Sequence, residues 1–78
     1  MNFIEIDLKK LEHNYHTIRR LLNPETKLIG VVKANAYGSG VNSIAEKLVA
    51  LGIDALAVAF TEEGIQLRNQ GIKARILV

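Results

Sequence analysis

Lys33 is the residue whose type and place in this chain could do chemistry. It ends the apolar run Leu28-Ile29-Gly30-Val31-Val32 and opens the turn Ala34-Asn35-Ala36-Tyr37-Gly38-Ser39-Gly40. An ammonium is costly to strip of water inside a core, so a lysine that closes a buried strand should emerge where the strand ends. The small residues and glycines after it let a ligand come close to the backbone. A lysine partly removed from water gives up its proton readily. The resulting amine is a nucleophile suited to Schiff-base chemistry. The plain alternative is a solvated lysine at a strand end, and the run that follows it shifts the balance toward a cofactor anchor.

The neighbouring residues sort by the same test. Tyr37 lies four residues past Lys33 in a tight turn, so both side chains can face one pocket and the phenol can reach an anionic ligand group. Gly38 and Gly40 read as turn glycines, because their spacing is not G-x-G-x-x-G and no P-loop pattern is present. Asn35 is suited to locking the turn through backbone groups. His13 and His16 are three apart on one helix, which is compatible with a metal pair, but no third ligand accompanies them, and no metal site is expected. Glu62 and Glu63 read as acids at a helix start, where they favour the dipole, and not as an acid/base pair. No Ser-His-Asp arrangement is visible.

The elements that would position Lys33 follow a βα rhythm. Phe3-Ile4-Glu5-Ile6 alternates weakly as a short strand, and Asp7 is a good helix cap. Leu8, Leu11, Tyr15, Ile18 and Leu22 fall at helical spacing, and Asn23-Pro24 stops that helix. Leu28 to Val32 predicts a fully apolar strand. A second helix carries Ile44, Ala45, Leu48 and Leu51, with Asn42 or Ser43 as its cap and Gly52 just past its end. Ala55 to Ala59 predicts a second buried strand. Thr61 is placed to cap a third helix that Gly71 ends, and Ala74 to Val78 predicts the last strand. Gly52-Ile53-Asp54-Ala55 and Gly71-Ile72-Lys73-Ala74 share the frame G-I-x-A, each joining a helix end to a strand. Repeated strand-helix-strand units give parallel sheets with right-handed crossovers. The class is therefore α/β, as an open doubly wound sheet or as the opening third of an eight-fold barrel. Both place ligand chemistry at the carboxyl ends of the strands, where Lys33 sits.

Composition bounds the reading. Of 78 residues, 49% are hydrophobic, with two Phe, two Tyr and no Trp, so the apolar content is chiefly aliphatic. That suits parallel strands covered by helices. It is more core than so short a chain can hide, and the remainder of a larger fold is expected to cover it. The net charge of +2 is scattered among acids, without the clustering of a nucleic-acid surface. No run approaches the ~20 apolar residues of a membrane span. Cysteine is absent, and the amino terminus lacks an apolar signal core, which together read as cytoplasmic.

Over Val31-Val32-Lys33-Ala34-Asn35-Ala36-Tyr37-Gly38-Ser39-Gly40 the chain resembles the N-terminal part of alanine racemases, pyridoxal-phosphate enzymes of the barrel type. The resemblance extends to Glu5-Ile6-Asp7-Leu8, to Leu56-Ala57-Val58-Ala59, to Glu63 with Leu67-Arg68 and Gly71-Ile72, and to Ile76-Leu77-Val78. It implies the N-terminal βα units of a (β/α)8 TIM-type barrel, incomplete over residues 1–78. It leaves open whether the first strand belongs to the C-terminal β domain of the full enzyme. Lys33 would bind pyridoxal 5'-phosphate covalently and then serve as one of two acid/base groups at the substrate Cα. Tyr37 would bond the cofactor phosphate, and Val31 and Leu77 would line the pocket. The implied substrate is a small amino acid and the implied assembly a homodimer. The family's second base, a tyrosine, falls beyond residue 78, so the chain alone is expected to be inactive. Ser39 stands where the family commonly has His, which points to a different branch, such as a racemase fused to another cell-wall enzyme. The alternatives are a non-catalytic remnant that keeps the reactive lysine, and a racemase for another amino acid such as serine.

Overall fold

A computed structural model describes the backbone of residues 3–33 and 41–78, and the side chains of residues 8–33 and 41–78. Helix α1 (Phe3–Leu21) leads to strand β1 (Ile29–Val31), helix α2 (Ser43–Leu51), strand β2 (Ala55–Ala57), helix α3 (Thr61–Asn69) and strand β3 (Arg75–Leu77). The strands form one parallel sheet in the order β1-β2-β3. Ile29 pairs with Ala55 and Ala55 with Arg75, so the register runs straight across, ending in the row Val31, Ala57, Leu77. Sheet order equal to chain order is what short right-handed βαβ units produce.

Side chains alternate between the two sheet faces. Leu56, at the centre of the middle strand, is fully buried beneath the helices. Around it cluster Val32, Ala45, Leu48, Val58, Leu67 and Ile72, with Leu11, Ile44, Val49, Ile53, Ala74 and Ile76 packed against them. Burying one such side chain is worth about 1.5–3 kcal/mol, so this face supplies the main cohesion. Gly30 belongs to the same face. A Cβ built there would meet Leu48 Cδ1 at 2.8 Å, so the bare glycine leaves the tip of that side chain its place against β1. The opposite face carries Ile29, Val31 and Leu77, all exposed.

The two G-I-x-A frames are two copies of one helix stop. Gly52 has φ 98° and Gly71 φ 99°, the left-handed conformation that glycine adopts without Cβ conflict. In the first copy Ile53 N–H donates to Leu48 O at 3.0 Å, and in the second Ile72 N–H donates to Leu67 O at 3.1 Å. These six-to-one bonds satisfy carbonyls left over at the helix ends.

At the amino ends of the strands, Asp54 closes a lock. Its Oδ2 accepts from the Leu28 N–H at 2.7 Å and from Arg19 Nη2 at 3.0 Å. Arg19 Nη1 also donates to Thr26 O, tying α1 to the approach of β1. The Leu28 N–H holds the Asp54 carboxyl below its usual range, against an opposing desolvation, with help from the Arg19 and Lys27 charges. The second frame has Lys73 in the place of Asp54. There Arg68 performs the tie, donating from Nη1 to Ile72 O at 3.0 Å and to Ala74 O at 2.7 Å.

Two sequence expectations are corrected. Phe3 to Ile6, read as a short strand with Asp7 as a cap, lies inside α1. No described strand pairs with this segment, and an unpaired strand leaves its backbone groups unbonded, whereas a helix satisfies them internally. The cap of α3 is Phe60, not Thr61, which is the first helical residue. Glu63 Oε1 accepts from the N–H groups of Ala59 at 3.0 Å and Phe60 at 2.9 Å, and this fixes the helix start one residue early. Phe60 has no side-chain acceptor, so this is half of a capping box.

Candidate active site at the strand tips

β1 ends in three steps. Val31 faces the open side, Val32 turns into the core, and Lys33 is exposed. Val32 still belongs to the ladder, its N–H donating to Ala57 O at 2.9 Å. Alternation then returns Lys33 toward the side that Val31 occupies. Lys33 makes no ion pair among the described residues, whose bridges are Arg19–Asp54 and Lys47–Glu12.

Beyond the strand, the Lys33 carbonyl is held by a side chain. Asn42 Nδ2 donates to Lys33 O at 2.8 Å. The same side chain caps α2, its Oδ1 accepting from the Ala45 N–H at 3.0 Å. Asn42 is 7% exposed, the one buried polar residue among those described. Its own backbone is gripped by Gln70 at the end of α3. The Asn42 N–H donates to Gln70 Oε1 at 2.9 Å, and Gln70 Nε2 donates to Asn42 O at 3.1 Å. Each side-chain polar atom of the pair is therefore bonded, as burial requires. The clamp joins the tip of β1, the start of α2 and the end of α3.

Lys33 emerges at the carboxyl tip of β1, as expected. Val31 and Leu77 lie in one register row with Ala57, on the open face next to that tip. Tyr37, Asn35, Gly38, Ser39 and Gly40 lie outside the described residues, so the Lys33–Tyr37 pairing is not drawn from the geometry. His13 and His16 are exposed on α1, and no group of three His, Cys, Asp or Glu side chains gathers among the described residues. A shallow concavity on the open face, lined by Lys27, Ile29, Asp54, Ala55, Arg75 and Leu77, centres on the amino-end lock, away from Lys33. The sequence reading offered Asn42 or Ser43 as the cap, of which Asn42 is the one observed, and missed the reach of Asn42 to Lys33. It missed Gln70 entirely, since 28 residues separate the partners and no spacing rule joins them.

An exposed lysine at the carboxyl tip of a parallel strand, beside a row of small and aliphatic side chains, sits where an α/β domain, open or closed, places its ligand chemistry. The profile of the family described as "Alanine racemase, N-terminal domain" matches residues 6–78, and the chain belongs to that family. It is 45% identical over 75 residues to alanine racemase 2 of Caldanaerobacter subterraneus subsp. tengcongensis, covering 96% of this chain and 19% of that protein. It is 46% identical over 74 residues to a serine/alanine racemase of Enterococcus gallinarum, covering 95% of this chain and 11% of that protein. A solved alanine racemase of Clostridium difficile 630 superposes with a TM-score of 0.77 at 45% identity, over 88% of this chain and 18% of that one. The architecture is thus that of the N-terminal βα units of a (β/α)8 barrel. The chain spans about a fifth of the length of the curated alanine racemases it matches.

Proposed function

We propose that the chain is the N-terminal segment of a pyridoxal-phosphate-dependent alanine racemase, carrying the lysine that holds the cofactor. The observation that carries this reading is Lys33, exposed at the tip of β1 in a chain of this family. An exposed primary amine with no ion-pair partner among the described residues fits an aldehyde cofactor, since its lone pair becomes available on losing one proton. When bound, pyridoxal 5'-phosphate would act as an electron sink for charge developing at the amino-acid Cα. Lys33 would hold the cofactor through Nζ, and Tyr37 would bond its phosphate.

Inversion at Cα requires a proton to leave one face and another to arrive on the opposite face. Lys33 Nζ would move the proton on one of them, which a positioned side chain does best when its pKa lies near the operating pH. The row Val31, Ala57 and Leu77 would line the pocket beside the amine. The opposite face needs a second group, and this segment offers no described candidate beside Lys33. The segment is therefore expected to be inactive alone and to act within a longer chain, as a homodimer in the cytoplasm.

A second reading concerns the substrate. The similarity to the serine/alanine racemase of Enterococcus gallinarum supports, as the alternative, a racemase that also accepts serine. Incubation with pyridoxal 5'-phosphate, borohydride reduction and mass mapping tests the central assignment. The expected adduct is on Lys33, and even labelling across the lysines would overturn it. Chiral analysis of alanine and serine incubated with the full-length protein separates the substrate readings.

A further inference from the structure

We infer that Asn42, gripped by Gln70, is a positioning residue that sets the direction in which Lys33 presents its amine. The inference rests on the proposed cofactor-anchoring role of Lys33 and goes beyond it. β1 has no ladder partner for the Lys33 carbonyl among the described strands, and Asn42 Nδ2 supplies one at 2.8 Å. That bond holds the Lys33 carbonyl and so restrains the backbone from which the Lys33 side chain leaves the strand. The donor is itself rigid. Its Oδ1 is committed to the Ala45 N–H, so the amide cannot flip without breaking the cap of α2. Its backbone is held at both ends by the Gln70 amide, so it cannot slide along the helix start. Burial at 7% exposure keeps water from competing for these bonds.

The chemical consequence is one of effective concentration. An amine that must meet an aldehyde gains rate and equilibrium from being held in the productive orientation. A strand tip alone would leave the last peptide free to rotate. The clamp ties that peptide to two helices, and both are anchored in the core through Ala45, Leu48 and Leu67.

Asn42→Asp is the discriminating variant. It keeps an oxygen to cap α2, which Asp does about as well as Asn. It replaces the donor facing Lys33 O with an acceptor. The protein and its variants are treated with pyridoxal 5'-phosphate and borohydride, and the adduct on Lys33 is measured relative to that on the other lysines. The pH dependence of cofactor absorbance is followed in parallel. The variant is expected to lower the Lys33 preference roughly three- to tenfold, the scale of one lost hydrogen bond, and to shift the absorbance titration while helical circular dichroism is retained. A lowered melting midpoint with an unchanged Lys33 preference would mean that the clamp only stabilises the fold, and the inference would be overturned. If Asn42→Asp loses its helical signal, Gln70→Met decides by the same two readouts, since it leaves the Asn42 cap intact. Absence of Lys33 preference in the unmodified protein sinks the anchoring role itself, an outcome distinct from a preference that survives Asn42→Asp.

Discussion

The two ends of the sheet are fastened by different means. At the amino ends, Asp54 gathers Leu28 N–H and Arg19, and Arg19 gathers Thr26, so a charged group satisfies a turn and ties it to α1. At the carboxyl ends, Asn42 and Gln70 join β1, α2 and α3 through neutral amides that carry no charge. Charge at the first end serves cohesion and is spent on protein partners. At the second end the nearby charge is the Lys33 ammonium, which no carboxylate among the described residues neutralises. A neutral clamp can hold the Lys33 carbonyl without forming an ion pair with the side chain. In parallel barrels the amino ends carry stability and the carboxyl ends carry chemistry, and the charged lock here lies at the amino ends.

The sharpest way to break the contrast is Lys33→Ala. Labelling at position 33 should vanish, while the unfolding midpoint stays within about 0.5 kcal/mol of the parent, since the side chain is exposed. A large loss of stability would place Lys33 among the structural groups. Next come the helix stops. Gly52→Ala and Gly71→Ala should each cost about 1–2 kcal/mol in urea unfolding, because both force a side chain into the left-handed region. Both should leave the Lys33 preference unchanged. Gly71 has open space around its missing Cβ and Gly52 has Tyr15 Oη at 3.7 Å, so backbone strain and not crowding governs the pair.

Asp54→Asn should lower the urea midpoint without altering its slope, and the effect should depend on pH. The folded-state pKa of Asp54 is depressed, so its contribution is fully present above the ordinary carboxylate range, near 3.9. It is lost as pH falls through the lower folded value, and parent and variant should converge in acid. A difference that persists there would assign the effect to packing. Smallest of all, Lys47→Ala removes the exposed bridge to Glu12, 3.1 Å long, between α1 and α2. The expected change is below about 1 kcal/mol and should fade with added salt.

Much of this was legible in the sequence where a signal is local. The glycine stops showed because only glycine takes φ near +98° cheaply, and the strands showed as apolar runs between them. The strands proved shorter than those runs, since Val32 and Val58 continue the hydrogen bonding while already turning into the core. Phe3 to Ile6 misled because four alternating residues cannot outweigh a helix that satisfies their backbone groups. Thr61 misled because its hydroxyl is a good cap in general, while the Glu63 carboxylate two residues on reaches further back. The place of Lys33 just past β1 was legible from the apolar run that precedes it. Its support was not, because the Asn42–Gln70 and Arg19–Asp54 bonds join residues 28 and 35 apart, distances at which sequence spacing carries no geometric information.

The equality of strand order and chain order also bears on how the sheet comes into being. Each strand docks beside the one made just before it, through a single intervening helix. Every loop to be closed among the described strands is therefore short. A ribosome releasing this stretch would deliver β1, then its neighbour, then the next, in the order in which they join. Assembly can run at the pace of translation, with one raw edge travelling ahead of the growing layer.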